Sequence, residues 1–208
     1  MKKMLYSLSF ILHPSAFILR LDDSARVGKG LTKMSATARA LKPDANEYAP
    51  YYETYVSLVP EGDVVEALSS QLAEVTALFS GIAEERAGHA YAEGKWSIKQ
   101  VVGHLVDGER IFAYRALAVA RGERQPLPGM DQDEYMAHSD FDARTLADLA
   151  AEFAHARAAN VLMFRGLSEE AWLRRGTASE REVTVRALAH IIVGHVAHHL
   201  GVLRARYL

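Results

Sequence analysis

Histidine is the residue type here whose spacing could do chemistry. Near the C-terminus stands Gly194-His195-Val196-Ala197-His198-His199. His195 and His199 are four residues apart, so on a helix they share one face about one turn apart. Two imidazoles so placed can reach one divalent ion through metal–nitrogen bonds of ~2.0–2.1 Å. On a helical wheel His199 falls inside the apolar stripe and His195 at its edge. His198 lies further round, and His190 points largely away. A third ligand must come from another element, and His104, at the flank of a second apolar face, supplies it. Both His104 and His195 follow a glycine, which predicts close approach of two helices there. A three-histidine site keeps a position open for water or substrate, and the ion lowers the pKa of a bound water or thiol. By itself His-x-x-x-His is a weak signal, since a histidine on an apolar face is more often a packed core or surface residue. Val196-Ala197 supplies no general base of the His-Glu-x-x-His kind.

Glu109 falls between Leu105 and Phe112, in the middle of an apolar stripe. A buried carboxylate needs a partner or a raised pKa. It either orients a ligand or acts as a base, or it partners a buried donor such as Tyr or Arg, which is the weightier reading. Asp107, three residues after His104, is more simply an exposed acid. Asn160 interrupts a core stripe as a register-fixing polar residue would. Trp96 reads as an aromatic anchor, Trp172 with Leu173 as packing at a bundle end, and His138 as a solvated loop residue.

The elements that must position these residues are helices. From about Asp63 to Arg86, Val65, Leu68, Leu72, Val75, Phe79 and Ile82 recur at spacings of three and four. A second helix starts at Ser97-Ile98-Lys99-Gln100, a capping-box pattern, and runs to about Gly122. A polar segment with Pro126, Pro128 and Gly129 continues to about Phe141. Its length predicts a crossover between helices that are not hairpin neighbours, or a lid over a site. A third helix spans about Ala143 to Gly166, a short piece follows from Ser168 to Leu173, and a fourth runs from Thr184 almost to the end. No strand pattern competes. The expected fold is all-α, a four-helix bundle over residues 63–208 with a long crossover between helices 2 and 3.

The chain has 208 residues, half of them apolar, enough for one domain with its own core. Its net charge of −2 lacks the basic footprint of a nucleic-acid binder. The absence of cysteine excludes disulfides, thiolate ligands and a Cys nucleophile. Residues 1–33 begin Met1-Lys2-Lys3 and continue with an apolar run broken by His13-Pro14. They read as an extension upstream of a start at Met34 or as a weak targeting segment, and the second apolar piece, Ala16 to Leu21, is too short to cross a bilayer. Residues 34–62, with Tyr48, Tyr51, Tyr52 and Tyr55, read as an irregular arm wrapped onto the domain.

Two segments carry a family resemblance. Trp96-Ser97-Ile98-Lys99-Gln100-Val101-Val102-Gly103-His104-Leu105, with Glu109 five residues after His104, resembles the second-helix signature of the DinB/YfiT-like superfamily. His195-Val196-Ala197-His198-His199-Leu200-Gly201 resembles its last-helix His-x-x-x-His-x-Gly motif. Val202 departs from the Gln that often follows. The resemblance implies a four-helix bundle and a divalent metal, zinc or nickel, held by His104, His195 and His199. It further implies a thiol-dependent transferase or a hydrolase acting in the cytoplasm on a small molecule, with a low-molecular-weight thiol as a candidate partner and a homodimer left open. Two readings stand beside it. One is a non-catalytic bundle stapled by its ion, and the other is a helical interaction protein without metal, whose stability a chelator would not change.

Overall fold

Four long helices carry the structure, a computed structural model that describes residues 38–208. They are α1 (Val64–Ser80), α2 (Ile98–Ala120), α3 (Leu146–Arg165) and α4 (Val185–Arg206). Each begins at a side-chain cap: Asp63, Ser97, Thr145 and Thr184 accept from backbone N–H groups of the first turn. At α2 the capping box is complete, with Gln100 accepting in return from the Ser97 N–H. Helix α1 ends sooner than its periodicity predicts. The chain turns at Gly81, and residues Glu84–Arg86 form a 3-10 turn. The expectation for residues 1–33 lies outside the described residues.

The packing order follows from cross-links. Helix α2 packs on α3 and α4, and α1 on the same two, so α1 and α2 sit on opposite corners. The Glu84 carboxylate accepts from Leu146 N–H at 2.9 Å and Phe79 meets Phe153 at 6.5 Å, which sets α1 antiparallel to α3. The Ser97 hydroxyl donates to Asp142 just before α3, and Arg110 pairs with Glu152, so α2 and α3 run parallel. The Tyr207 hydroxyl donates to the Trp96 carbonyl at 2.7 Å, joining the end of α4 to the start of α2, antiparallel. The segment between α2 and α3 therefore travels back along the bundle. It first bridges Leu127 to Ala178 and later forms a short helix, Gln132–Ala137, against α2.

A small antiparallel hairpin precedes α4, contrary to the strand-free expectation. Strands β1 (Arg175–Ala178) and β2 (Arg181–Thr184) pair Arg175 with Thr184 and Ala178 with Arg181. Ser179 and Glu180 turn the chain with φ of 51° and 61°. That is the primed-turn conformation, usually signalled by Asn-Gly or Asp-Gly, and Ser-Glu carries no such signal. Gly176 lets β1 lie on α2, because a Cβ there would stand 2.5 Å from a Val119 methyl.

Tyr48, Tyr55, Val56 and Val59 from the arm enter the same buried cluster as α1, α2 and α4, while Tyr51 stays exposed. Glu47 clamps the arm: its carboxylate accepts from the Arg186 guanidinium and from the Thr184 hydroxyl, all buried. Trp172 stacks on Phe164 at 5.5 Å as expected of a bundle-end anchor, but Leu173 faces solvent. No described helix is long and apolar enough to cross a membrane.

Candidate metal centre

His104 on α2 meets His195 and His199 on α4. The Nε2 atoms of His104 and His195 are 2.9 Å apart. One ring nitrogen from each of the three residues lies within 4.8 Å of the others. The ring centroids are separated by 4.8, 4.9 and 4.7 Å, each pair edge to face. Ligand atoms on a tetrahedral ion with bonds of ~2.0–2.1 Å stand about 3.3 Å apart, and the spacing here brackets that value. His104 and His195 are buried and His199 is half-buried. Burial pushes the His104 imidazolium down to about 4 and the His199 imidazolium to about 3. His195 falls well below the ordinary range, first through burial and then through its histidine neighbours and Arg157. At neutral pH all three rings are uncharged, the form that ligates a cation.

Aromatic walls set the ring orientations. Trp96 lies 5.0 Å from His104, and Tyr55 and Phe112 lie 5.3 and 5.6 Å from His195. The glycine that brings α2 and α4 together here is Gly108, where a Cβ would stand 2.8 Å from His195 Cε1. Gly103 and Gly194, expected to do this, serve other contacts. A Cβ at Gly103 would strike the Phe141 ring at 2.3 Å, and one at Gly194 the Tyr55 carbonyl at 2.0 Å. His190 is buried, not turned away to solvent, with Nδ1 donating to the Arg186 carbonyl at 3.0 Å. The wheel misplaced it because arm and hairpin join the bundle in covering α4, and every residue from Val185 to Val196 is buried.

Glu109 stands apart from the triad's ligand set. Its carboxylate accepts from Arg157 Nη2 at 2.6 Å, Arg157 Nε at 3.0 Å and Asn160 Nδ2 at 3.0 Å. Arg157 Nη1 donates onward to the Leu68 carbonyl and to Gln71 Oε1, and Gln71 Nε2 donates to the Val193 carbonyl. One buried polar network thus ties all four helices, and neither Glu109 oxygen bonds a histidine. Asn160 belongs to this network. Asp107 and His138 line a separate cavity of about 590 Å³ with Glu134 and Arg144, and burial raises the Asp107 carboxyl.

The triad opens on one side. His199 and His198 line a cleft of about 540 Å³ with Trp96, Val202, Tyr207 and, from the α2–α3 connection, Gln132 and Asp133. Val202 presents an apolar surface beside His199 where the resemblance suggested a polar one. Sequence reasoning assigned Tyr55 to the packed arm without placing it beside His195, and passed over Gly108 and Asp133. Gly108 had a usable signal, since it stands one turn after His104 on the same face.

A DinB superfamily sequence model matches residues 67–203. Among solved structures, YfiT from Bacillus subtilis, described as "a probable metal-dependent hydrolase with an unusual four-helix bundle topology", superposes with a TM-score of 0.58 at 16% identity. The alignment covers 83% of this chain and 97% of YfiT. The mycothiol-dependent maleylpyruvate isomerase superposes with a TM-score of 0.56 at 16% identity, over 69% of this chain and 59% of the isomerase. The chain thus spans under two thirds of that enzyme. Comparison with curated protein sequences finds no match.

Proposed function

The chain belongs to the DinB superfamily, and from that premise we propose that it is a metal-dependent enzyme that uses His104, His195 and His199 to hold a zinc or nickel ion. The observation that carries this reading is three uncharged imidazoles converging within 4.8 Å beside an open cleft. When bound, the ion would act as a Lewis acid and lower the pKa of a water or thiol. The chain's own residues do the rest. Burial keeps the imidazoles in the uncharged form, which has one bare ring nitrogen to offer an ion, and the rings of Trp96, Phe112 and Tyr55 pack against His104 and His195. The cleft, about 540 Å³, suits a small molecule. A purely structural ion prefers a closed shell, and the half-buried His199 on a cleft favours the catalytic alternative. The substrate class we assign is a small electrophile attacked by a water or a low-molecular-weight thiol in the cytoplasm, the thiol partner having its counterpart in the name of the mycothiol-dependent relative.

Elemental mass spectrometry on untagged protein, beside the His104→Ala/His195→Ala/His199→Ala variant, tests this. About one ion per chain, lost in the variant, supports the reading and justifies screening hydrolysis and thiol-transfer substrates. No metal in either sample after reconstitution refutes it.

A further inference from the structure

The cleft beside the triad contains one acidic side chain among the described residues, Asp133. The other acids near the site are committed elsewhere. Glu109 is saturated by Arg157 and Asn160, Asp142 accepts from Ser97 and Gln100, and Asp107 and Glu134 line the neighbouring cavity. Asp133 sits in the first turn of the helix Gln132–Ala137, whose start is fixed by Asp131 Oδ1 accepting from the N–H groups of Asp133 and Glu134 at 2.9 and 3.1 Å. Buried Met136 anchors that helix. Successive residues then face different ways, Asp133 into the triad's cleft and Glu134 into the other cavity. The Asp133 carboxylate enters no hydrogen bond or ion pair among the described residues, and its charge acts on His104. It is outside the group of atoms within 4.8 Å that could ligate the ion. Asp133, itself exposed, thus shares the cleft with the half-buried His199 without belonging to the ligand set.

Building on the metal-dependent reading, we propose that Asp133 is the proton acceptor for the nucleophile activated at the three-histidine centre. The nucleophile's S–H or O–H bond breaks and its proton passes to an Asp133 carboxylate oxygen. The electron pair left on sulfur or oxygen forms the new bond to the electrophilic carbon, the bond from that carbon to the leaving group breaks with its pair passing to the leaving group, and the proton held on Asp133 passes to that group.

Cobalt(II)-loaded protein tests the step without a known substrate. Binding of 2-mercaptoethanol, which must lose a proton, is followed by stopped-flow through its sulfur-to-cobalt charge-transfer band. Azide, which has no proton to lose, is followed beside it. Asp133→Asn should keep one cobalt per chain and slow thiolate formation by about 100-fold, the low end of what a positioned base contributes. Azide binding should be no slower. Glu134→Gln, on the same helix but facing the other cavity, should match the unsubstituted chain. A thiol rate within about twofold in Asp133→Asn, or equal slowing of azide, overturns the role of Asp133 alone. Failure of the unsubstituted chain to bind cobalt overturns the metal reading and this proposal with it.

Discussion

Replacing Arg157 with alanine should unfold this protein more readily than any surface change, and the contacts set the scale. Arg157 is fully buried and Glu109 nearly so, and their pair is bidentate. Removing the guanidinium leaves the Glu109 carboxylate in the core with Asn160 alone as side-chain donor, strips Gln71 Oε1 of its partner, and leaves the Leu68 carbonyl with its helix bond only. Breaking one side of a buried pair costs about 3–5 kcal/mol. For a chain of this size that lowers Tm by about 6–20 °C. Replacing both partners with apolar residues, Glu109→Leu with Arg157→Met, removes the stranded charge. The double variant should be more stable than Arg157→Ala, although Gln71 Oε1 stays unpaired at about 1–3 kcal/mol. Urea denaturation followed by circular dichroism would measure both, with metal content measured in parallel for Glu109→Gln. A loss under about 1 kcal/mol for Arg157→Ala would refute the energetic argument. Loss of the metal from a folded Glu109→Gln would refute the separation of Glu109 from the histidines.

Three further outcomes are expected. Gly108→Ala would drive a methyl into His195 and should weaken metal affinity at least about tenfold, as outer-sphere disturbances of metal ligands do. Gly201→Ala, with open space around its Cβ, should keep the affinity and raise stability by up to about 1 kcal/mol; competition with a chromophoric chelator reads both affinities. His199→Ala should abolish metal binding while His190→Ala keeps the stoichiometry and loses stability through its buried cavity, and equal metal loss from both would contradict the triad. The third outcome concerns pH. In the metal-free chain His104 and His190 are held to about 4 and His199 to about 3, against an ordinary value near 6.5. The unfolded state therefore binds more protons in that interval, and stability should fall as pH drops from about 6.5 to about 4. A denaturation midpoint that is flat from about pH 7.5 to 5 would contradict this.

The four helices and the three histidines were legible because local chemistry writes them. Apolar residues at spacings of three and four mark each buried face, Ser97 and Gln100 mark a start, and His195 and His199 share a face by geometry. What was illegible depends on neighbours. His190 was sorted outward on a wheel that assumes a helix with one buried side, whereas α4 is covered all round over its first half. The hairpin turn at Ser179-Glu180 adopts positive φ without the residues that ordinarily signal it. Glu109 was recognised as a buried carboxylate, with an arginine among its named partners, but nothing local identified Arg157. That residue lies on another helix, at a position where periodicity predicts only an inward side chain.

The bundle's topology explains why the three-histidine cluster at one end has a cleft wall from so distant a segment. His104 lies near the start of α2, and His195 and His199 lie in the later half of α4, so the triad occupies the end marked by Trp96 and Tyr207. Helix α2 finishes at the opposite end, where Arg174 donates to the Ala120 carbonyl and Leu127 joins the hairpin. Because α3 runs parallel to α2, it must begin back at the triad's end, and the connecting chain has to return there first. That return delivers the helix Gln132–Ala137 to the cleft before α3 starts at Leu146. In an antiparallel α2–α3 pair a short turn would suffice, and no such segment would reach the histidines. The parallel pair therefore does more than pack. It brings to a site built by two helices a wall from a third segment, whose Gln132 and Asp133 face the cleft while Met136 is buried beneath them.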